Sequence, residues 1–435
     1  MPRTKTPNSS LRALLVEASW TQQALARAVN AVAAETGEEL RYDRTTVAHW
    51  LRGSRPMSTV LPLVCEALGR RIGRTITPRD LGFTDPERVG RQRARPRAEE
   101  SAGEALDRLF AVPLSGTLYR PVDCVPPLPP AAWLAPQRPA AGGAARTPAT
   151  ARPLLPASSA VDFFAQVLDE GGGSRAPATL RTYLSEVVTG RLRGSGDATA
   201  AEYVEGARLV LLLGRMYEDQ LRQGAAQRCY ATARDLSVTA DDPATWAMAV
   251  RLMSTQAHRL GHLRAAATSA RAAVSVATVA PHGVLAHAQA QLALVRASAG
   301  DRTGTQLTLA KALVSLRRQD QEAGASAFVT YSAASFEYQR GEALLALGLA
   351  DEAVGAFERS LRLRPAQDQR GTALVLARLA CALLYVGRVD EARRHGRALT
   401  EVELSLRSAA VRRAVAQWRA AARGLQGREH PWRTA

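Results

Sequence analysis

The sequence predicts an all-α fold, on three observations. Apolar residues recur at three- and four-residue spacing on both sides of a proline-rich middle. No β-branched alternation bounded by turn signals recurs along the chain. Short Gly-centred turns punctuate the helical patterns, and 11 of the 23 prolines fall between Pro113 and Pro156. The expected organisation is an N-terminal helical unit at 1–87, an Arg-rich then Pro-rich linker at 88–157, and a helical repeat region at 158–435. Proline removes backbone donors and clashes with the preceding turn, so the linker is expected to be semi-extended.

Charge narrows the function classes. The chain carries +17, from 57 basic and 40 acidic residues, and only Lys5 and Lys311 are lysine. A preference for arginine over lysine tracks genome composition. The net excess of positive charge favours an anionic partner such as nucleic acid. Residues 1–97 hold a net +8, whereas residues 158–435 spread +9 over nearly three times the length. No apolar run approaches the roughly 18–20 residues that cross a bilayer, and the start, MPRTKTPNSS, lacks a signal-peptide core. A cytoplasmic chain without membrane partners is expected.

Chemistry-bearing motifs are sparse. Cys65, Cys124, Cys229 and Cys381 form no C-x-x-C pair, so neither a disulfide framework nor a zinc knuckle is indicated. Cys229 reads as a buried packing thiol. Lys311 follows Ala310 rather than glycine, which excludes a P-loop. His258 and His262 stand four apart, but Gly261 intervenes and no third ligand is evident, so no metal or cofactor is expected. Neither G-x-S-x-G nor H-E-x-x-H occurs, and the reading is of a non-enzyme.

In the N-terminal unit, SSLRALLVEAS gives a first amphipathic helix with Leu11, Leu14, Leu15 and Ala18 on one face. Thr21 caps a second, TQQALARAVNAVAAE, because its hydroxyl can accept an orphan backbone N–H. A third begins at Asp43, RTTVAHWLRG, with Val47 and Trp50 inward and Arg44, Thr45, Thr46 and His49 outward. The fourth, STVLPLVCEALGRRI, closes the core, and ITPRDLGF ends the unit in a capped turn. This order resembles the helix-turn-helix of the phage-repressor-like (XRE) family, at Thr21-Gln22, Leu25-Ala26, Thr46-Val47, Trp50, Arg52-Gly53 and Pro56. The resemblance implies that the helix from Asp43 enters the major groove of double-stranded DNA with Arg44, Thr45, Thr46 and His49. It further implies that Gln22 anchors to a phosphate or flanking base, and that Arg52 and Arg55 hold the backbone. One departure is the 19 residues between Ala26 and Thr46, which lengthen the second helix, its loop, or both. They carry Glu35, Glu38 and Glu39, which must turn away from phosphates. Five arginines between Arg88 and Arg97 follow, either a mobile arm for phosphates or a solvated linker start.

The repeat region is clearest at Ala334–Pro365, which resembles the tetratricopeptide (TPR) motif at Gly341, Leu344, Gly348, Ala353, Phe357 and Pro365. Gly341 and Ala353 let two helices approach, Phe357 fills the gap to the next pair, Gly348 makes the turn and Pro365 stops the second helix. Further units read as Gly261/Ala266/Ala273, Gly300/Thr305/Ala312 and Gly387/Ala392/Leu399, with a more degenerate one at Gly224/Cys229/Leu236. Such units stack into a TPR-like α-solenoid whose first helices form a concave groove. The register assigns Met248, Arg251, Thr255, His258, Arg259, His287, Tyr338, Glu342 and Tyr385 to that groove. These groups suit a peptide or protein ligand, an extended segment or partner helix of acidic character.

Both halves together resemble cytoplasmic regulators of filamentous, antibiotic-producing bacteria that join an XRE-type domain to degenerate TPRs. The residues that carry this are TVAHWLRGSRP, GAAQRCYATARDLSVTADD and the Gly261–Ala273 turn. The resemblance implies a sequence-specific transcriptional regulator, working as a homodimer and touching development or secondary metabolism. The alternative is a TPR adaptor that sequesters a protein partner without binding DNA.

Overall fold

The computed structural model describes residues 6–83, 102–111, 113–114, 116–134, 157–194, 199–321 and 327–426, and every regular element among them is helical. None of the described helices is long and apolar enough to cross a membrane.

Four helices form the N-terminal unit: α1 (Ser9–Glu17), α2 (Gln22–Thr36), α3 (Arg44–Leu51) and α4 (Leu61–Ile72). Each of the first three begins at a side chain that accepts an orphan N–H: Asn8 from Leu11, Thr21 from Ala24, Asp43 from Thr46. Leu11, Leu25, Val29, Val47, Val64 and Leu68 are fully buried between them, with Trp50 nearly so. The 19 residues between Ala26 and Thr46 are shared between α2, which runs on to Thr36, and the loop that leads to Asp43. Gly37 ends α2 with φ +85°, and the Asn30 amide then clamps the Tyr42 backbone through bonds of 2.9 and 3.0 Å.

Part of the stretch expected as linker packs along the repeats. It contains α5 (Ala102–Ala111), a 3₁₀ turn at Pro121–Cys124 and the short α6 (Ala131–Leu134). The Gln227 side chain bonds the Arg120 backbone in both directions, at 2.9 and 2.7 Å. Ser269 donates to the Cys124 carbonyl at 2.8 Å, and the Trp133 indole donates to Asp241 at 2.6 Å. A proline-rich segment has few amides to satisfy, so scattered side chains suffice to hold it where a sheet partner would otherwise be needed. The Arg88–Arg97 arm and residues 135–156 lie outside the described residues.

Next come α7 (Ala157–Gly171) and α8 (Pro177–Thr182), the latter continuing through a π-helical turn (Tyr183–Val188) into α9 (Thr189–Gly194). Five antiparallel hairpins follow. They are α10/α11 (Ala200–Asp219, Gln223–Thr239), α12/α13 (Pro243–Arg259, Leu263–Ala277) and α14/α15 (His282–Ser298, Arg302–Gln319), then α16/α17 (Ala333–Ala346, Ala350–Leu363) and α18/α19 (Gln369–Tyr385, Val389–Ser405). A last helix, α20 (Ala409–Gln426), covers the end.

In each hairpin the residue two positions before the second helix is left-handed. Gly261, Gly300, Gly348 and Gly387 fill this role, but in the first hairpin it is Leu221, with φ +63°. Gly224 is therefore not a turn glycine. It lies inside α11, where a Cβ would overlap the Thr117 carbonyl of the packed segment. Shifting the register by three puts Ala226 and Ala233, both fully buried, at the positions expected for Cys229 and Leu236. The corrected register makes the packing rule uniform. Seven residues before the turn stand Gly214, Ser254, Ala293, Gly341 and Ala380. The rings of Tyr230 and Phe357 lie against Gly214 and Gly341, and in the last hairpin Gly396 leaves room for Trp418 of α20.

The array closes on itself. Asp219, 1% exposed at the end of α10, accepts from Arg370 Nε at 2.6 Å, Ser408 Oγ at 2.8 Å and Gly173 N at 2.7 Å. One carboxylate thus ties the first hairpin to the last one, to the start of α20 and to the loop after α7.

Candidate functional site

Two surfaces collect the sequence-predicted residues. On the first, Arg44, Thr45, His49, Arg52 and Arg55 are exposed, and Gln22 and Thr46 are partly so. Thr46 is less available than expected, because its hydroxyl bonds the Asp43 carboxylate at 3.0 Å. The Thr46 backbone N–H and then this hydroxyl hold the Asp43 carboxyl below its usual range. Gln23 rather than Gln22 ties the two helices, its Oε1 accepting the Arg44 N–H at 3.1 Å.

The unit is fixed to the repeats through α2 and α4. Arg70 forms a bidentate pair with Glu35 at 2.7 and 2.8 Å and reaches Glu66 at 2.8 Å. Glu66 Oε1 also lies 3.0 Å from His262 Nε2, in the α12/α13 turn, and the Tyr119 ring stacks on that imidazole with centroids 5.5 Å apart. Burial opposes the charge on Arg70, but Glu35 and Glu66 more than compensate and raise its pKa. Gly261 passes so close to the Arg70 carbonyl that a Cβ would overlap it. Glu35 thus belongs to an internal joint, whereas Glu38 and Glu39 are exposed.

The second surface is concave. The first helices of the hairpins, α7 and residues 328–332 surround a cavity of about 650 Å³. Of the residues assigned to the groove, Met248, Arg251, Thr255, Arg259, His287 and Tyr338 line it. Three others do not. His258 turns toward the neighbouring α14 and sits 2.6 Å from Ser298 Oγ, while Glu342 lies farther along the array and pairs with Arg378 at 2.8 Å. Tyr385, at the end of α18, is 50% exposed.

Most cavity charges are matched. Arg215 faces Asp169 at 3.5 Å, Arg259 meets Glu218 at 3.0 Å, Arg370 meets Asp219, and Arg364 meets Asp368. Arg251 has no carboxylate partner among the described residues, and its Nε is buried without a hydrogen bond. Burial, then the nearby Arg215, push its pKa down to about 10. His287 is stacked on Tyr331 at 4.1 Å between centroids, and burial with Arg251 and Arg215 holds its pKa well below the usual value. A polar rail continues from Tyr331 to Gln339 and Gln291, where Thr255 also donates at 3.0 Å. Leu211, Met248, Leu252, Phe328 and Leu374 supply apolar wall. Among the described residues the arrangement offers one cation without a carboxylate partner, an imidazole whose charged form burial disfavours, and an apolar face.

Sequence reasoning missed Arg215, which stands six residues before Leu221 as Thr255 stands before Gly261. The repeat pattern contains that signal once the first turn is placed on Leu221. Tyr331 lies in an irregular connection, where no periodic signal exists.

Residues 11–84 match a family model described as the SP15 N-terminal domain, a span that coincides with the four-helix unit. No curated protein matches the chain.

Proposed function

We propose that the chain is a DNA-binding transcriptional regulator whose four-helix unit reads duplex DNA through α3 and whose repeat array receives a ligand. The observation that carries this reading is the division of labour within the unit. Its joint to the repeats uses α4, through Glu66 and His262, and α2, which packs on α11, while Arg44, Thr45, His49 and Arg52 on and after α3 stay exposed. A short helix with exposed basic and hydroxyl side chains in its first turn suits base and phosphate contacts in the major groove. The resemblance to the XRE helix-turn-helix and the positive charge of residues 1–97 support the same reading.

On this reading the protein acts as a homodimer on a two-fold operator, with its two α3 helices about 34 Å apart. Because the reading unit is braced against the second hairpin, a ligand that shifts the array also shifts α3. Selection of bound duplexes from a random library by the full-length chain tests the proposal. A recurring two-fold motif, lost with Arg44→Ala and Thr45→Ala, is the expected result. Recovery of no motif, or of the same motif by both variants, contradicts it and leaves the adaptor reading.

A further inference from the structure

We infer that the cavity inside the repeat array binds a small organic anion, a carboxylate or phosphate monoester carried on an apolar body, with Arg251 as its counter-ion. The inference deepens the proposed ligand-receiving role of the array and names the class of ligand.

Charge gives the first argument. Four of the five arginines that line the cavity have carboxylates within ion-pair distance, and Arg251 has none among the described residues. An arginine held with a buried, unbonded Nε costs stability unless something else compensates. A guanidinium fork suits a planar carboxylate or a phosphate, both of which it binds bidentately. His287 is no second counter-ion for such an anion, because burial, with Arg251 and Arg215, disfavours its charged form, and Tyr331 stacks on its face. Of the lining carboxylates, Asp169, Glu218 and Asp368 are occupied by arginines. Asp162 is exposed to solvent on α7.

Size gives the second. A cavity of about 650 Å³ falls within the range of cavities that hold small molecules. α7 packs on α10 and α18 across the groove, which suits a compact ligand better than a partner helix laid along it.

The wall gives the third. Leu211, Met248, Leu252, Phe328 and Leu374 present apolar surface to the same space that Arg251 enters. An inorganic ion alone leaves that surface wet, whereas a ring or short chain covers it.

The test uses the full-length protein without DNA, so its failure and a failure of the DNA-binding reading are separable. Binding of benzoate and phenyl phosphate is measured by calorimetry beside uncharged benzamide and inorganic phosphate. Benzoate or phenyl phosphate is expected to bind at least tenfold more tightly than either control. Arg251→Met is expected to weaken the organic anion at least tenfold while leaving benzamide unchanged, and Arg251→Lys to retain part of the affinity. Replacing an unpaired buried charge with an apolar side chain does not threaten folding; Arg251→Gln, checked by circular dichroism, serves as a second variant. Parental anion affinity in both charge-removing variants overturns the inference. So does equal binding of benzamide or inorganic phosphate, or binding of none of the four.

Discussion

Glu66 of α4 and His262 of the α12/α13 turn meet at 3.0 Å, and both side chains are almost wholly buried. A carboxylate only accepts, so His262 Nε2 carries the proton of this bond. The same Oε1 accepts from Arg70 Nε, which in turn clamps Glu35. One chain of bonds therefore runs from the end of α2 through α4 to the turn of the second hairpin.

Removing one member leaves the others buried without partners. His262→Ala is expected to lower unfolding free energy by about 3 kcal/mol. A double-mutant cycle with Glu66→Gln, followed by urea unfolding, measures the coupling. Additive losses would show that the two residues do not act as a joint.

Gly261 and Gly300 supply an internal control, since both are left-handed, at φ +83° and +77°. Alanine at Gly300 meets open space and pays only conformational strain, about 1 kcal/mol. Alanine at Gly261 must also push back the Arg70 carbonyl. Its thermal unfolding is expected to drop well below that of Gly300→Ala; equal drops would mean that the joint is slack.

Asp219→Ala removes the carboxylate shared by Arg370, Ser408 and Gly173 and is expected to cost about 3–5 kcal/mol. Hydrogen exchange should show the loss concentrated in α18 and α20. Uniform acceleration along the chain would contradict a closure role.

Stability is also expected to fall in mild acid. Burial, with Arg259 and Arg378, lowers the His258 pKa to about 4, against an ordinary value near 6.5. Between those values the unfolded chain binds more protons, so stability is fully present above pH 6.5 and drains away toward pH 4. His258 contributes on the order of 3 kcal/mol to that loss, and His287, shifted in the same direction, adds to it. Urea midpoints from pH 4 to 7 should flatten in His258→Gln; an unchanged slope would assign it elsewhere.

How far the sequence could be read depended on whether a feature was periodic. The Thr21 cap, the start of a helix at Asp43, and the inward Val47 and Trp50 follow from local rules and helical spacing. The glycine pattern places the first turn three residues late, because glycine marks a left-handed turn and Leu221 takes that conformation without it. The packing of residues 102–134 left no pattern at all. It rests on side chains such as Gln227 and Ser269, more than a hundred residues from their partners. The same holds for the Glu35–Arg70–Glu66–His262 chain, whose acidic members look like ordinary helix-surface residues in sequence.

If α3 reads DNA while α2 and α4 hold the unit in place, affinity for a selected duplex depends on the side chains of α3 and its C-terminal end. Fluorescence anisotropy at a series of salt concentrations, for the parent and Arg44→Ala/Arg52→Ala, measures this. Binding is expected to be at least tenfold weaker and its salt slope shallower by about 1, for the one phosphate contact removed, that of Arg52. Equal affinity and equal slope in the two proteins would contradict a DNA-reading role for α3.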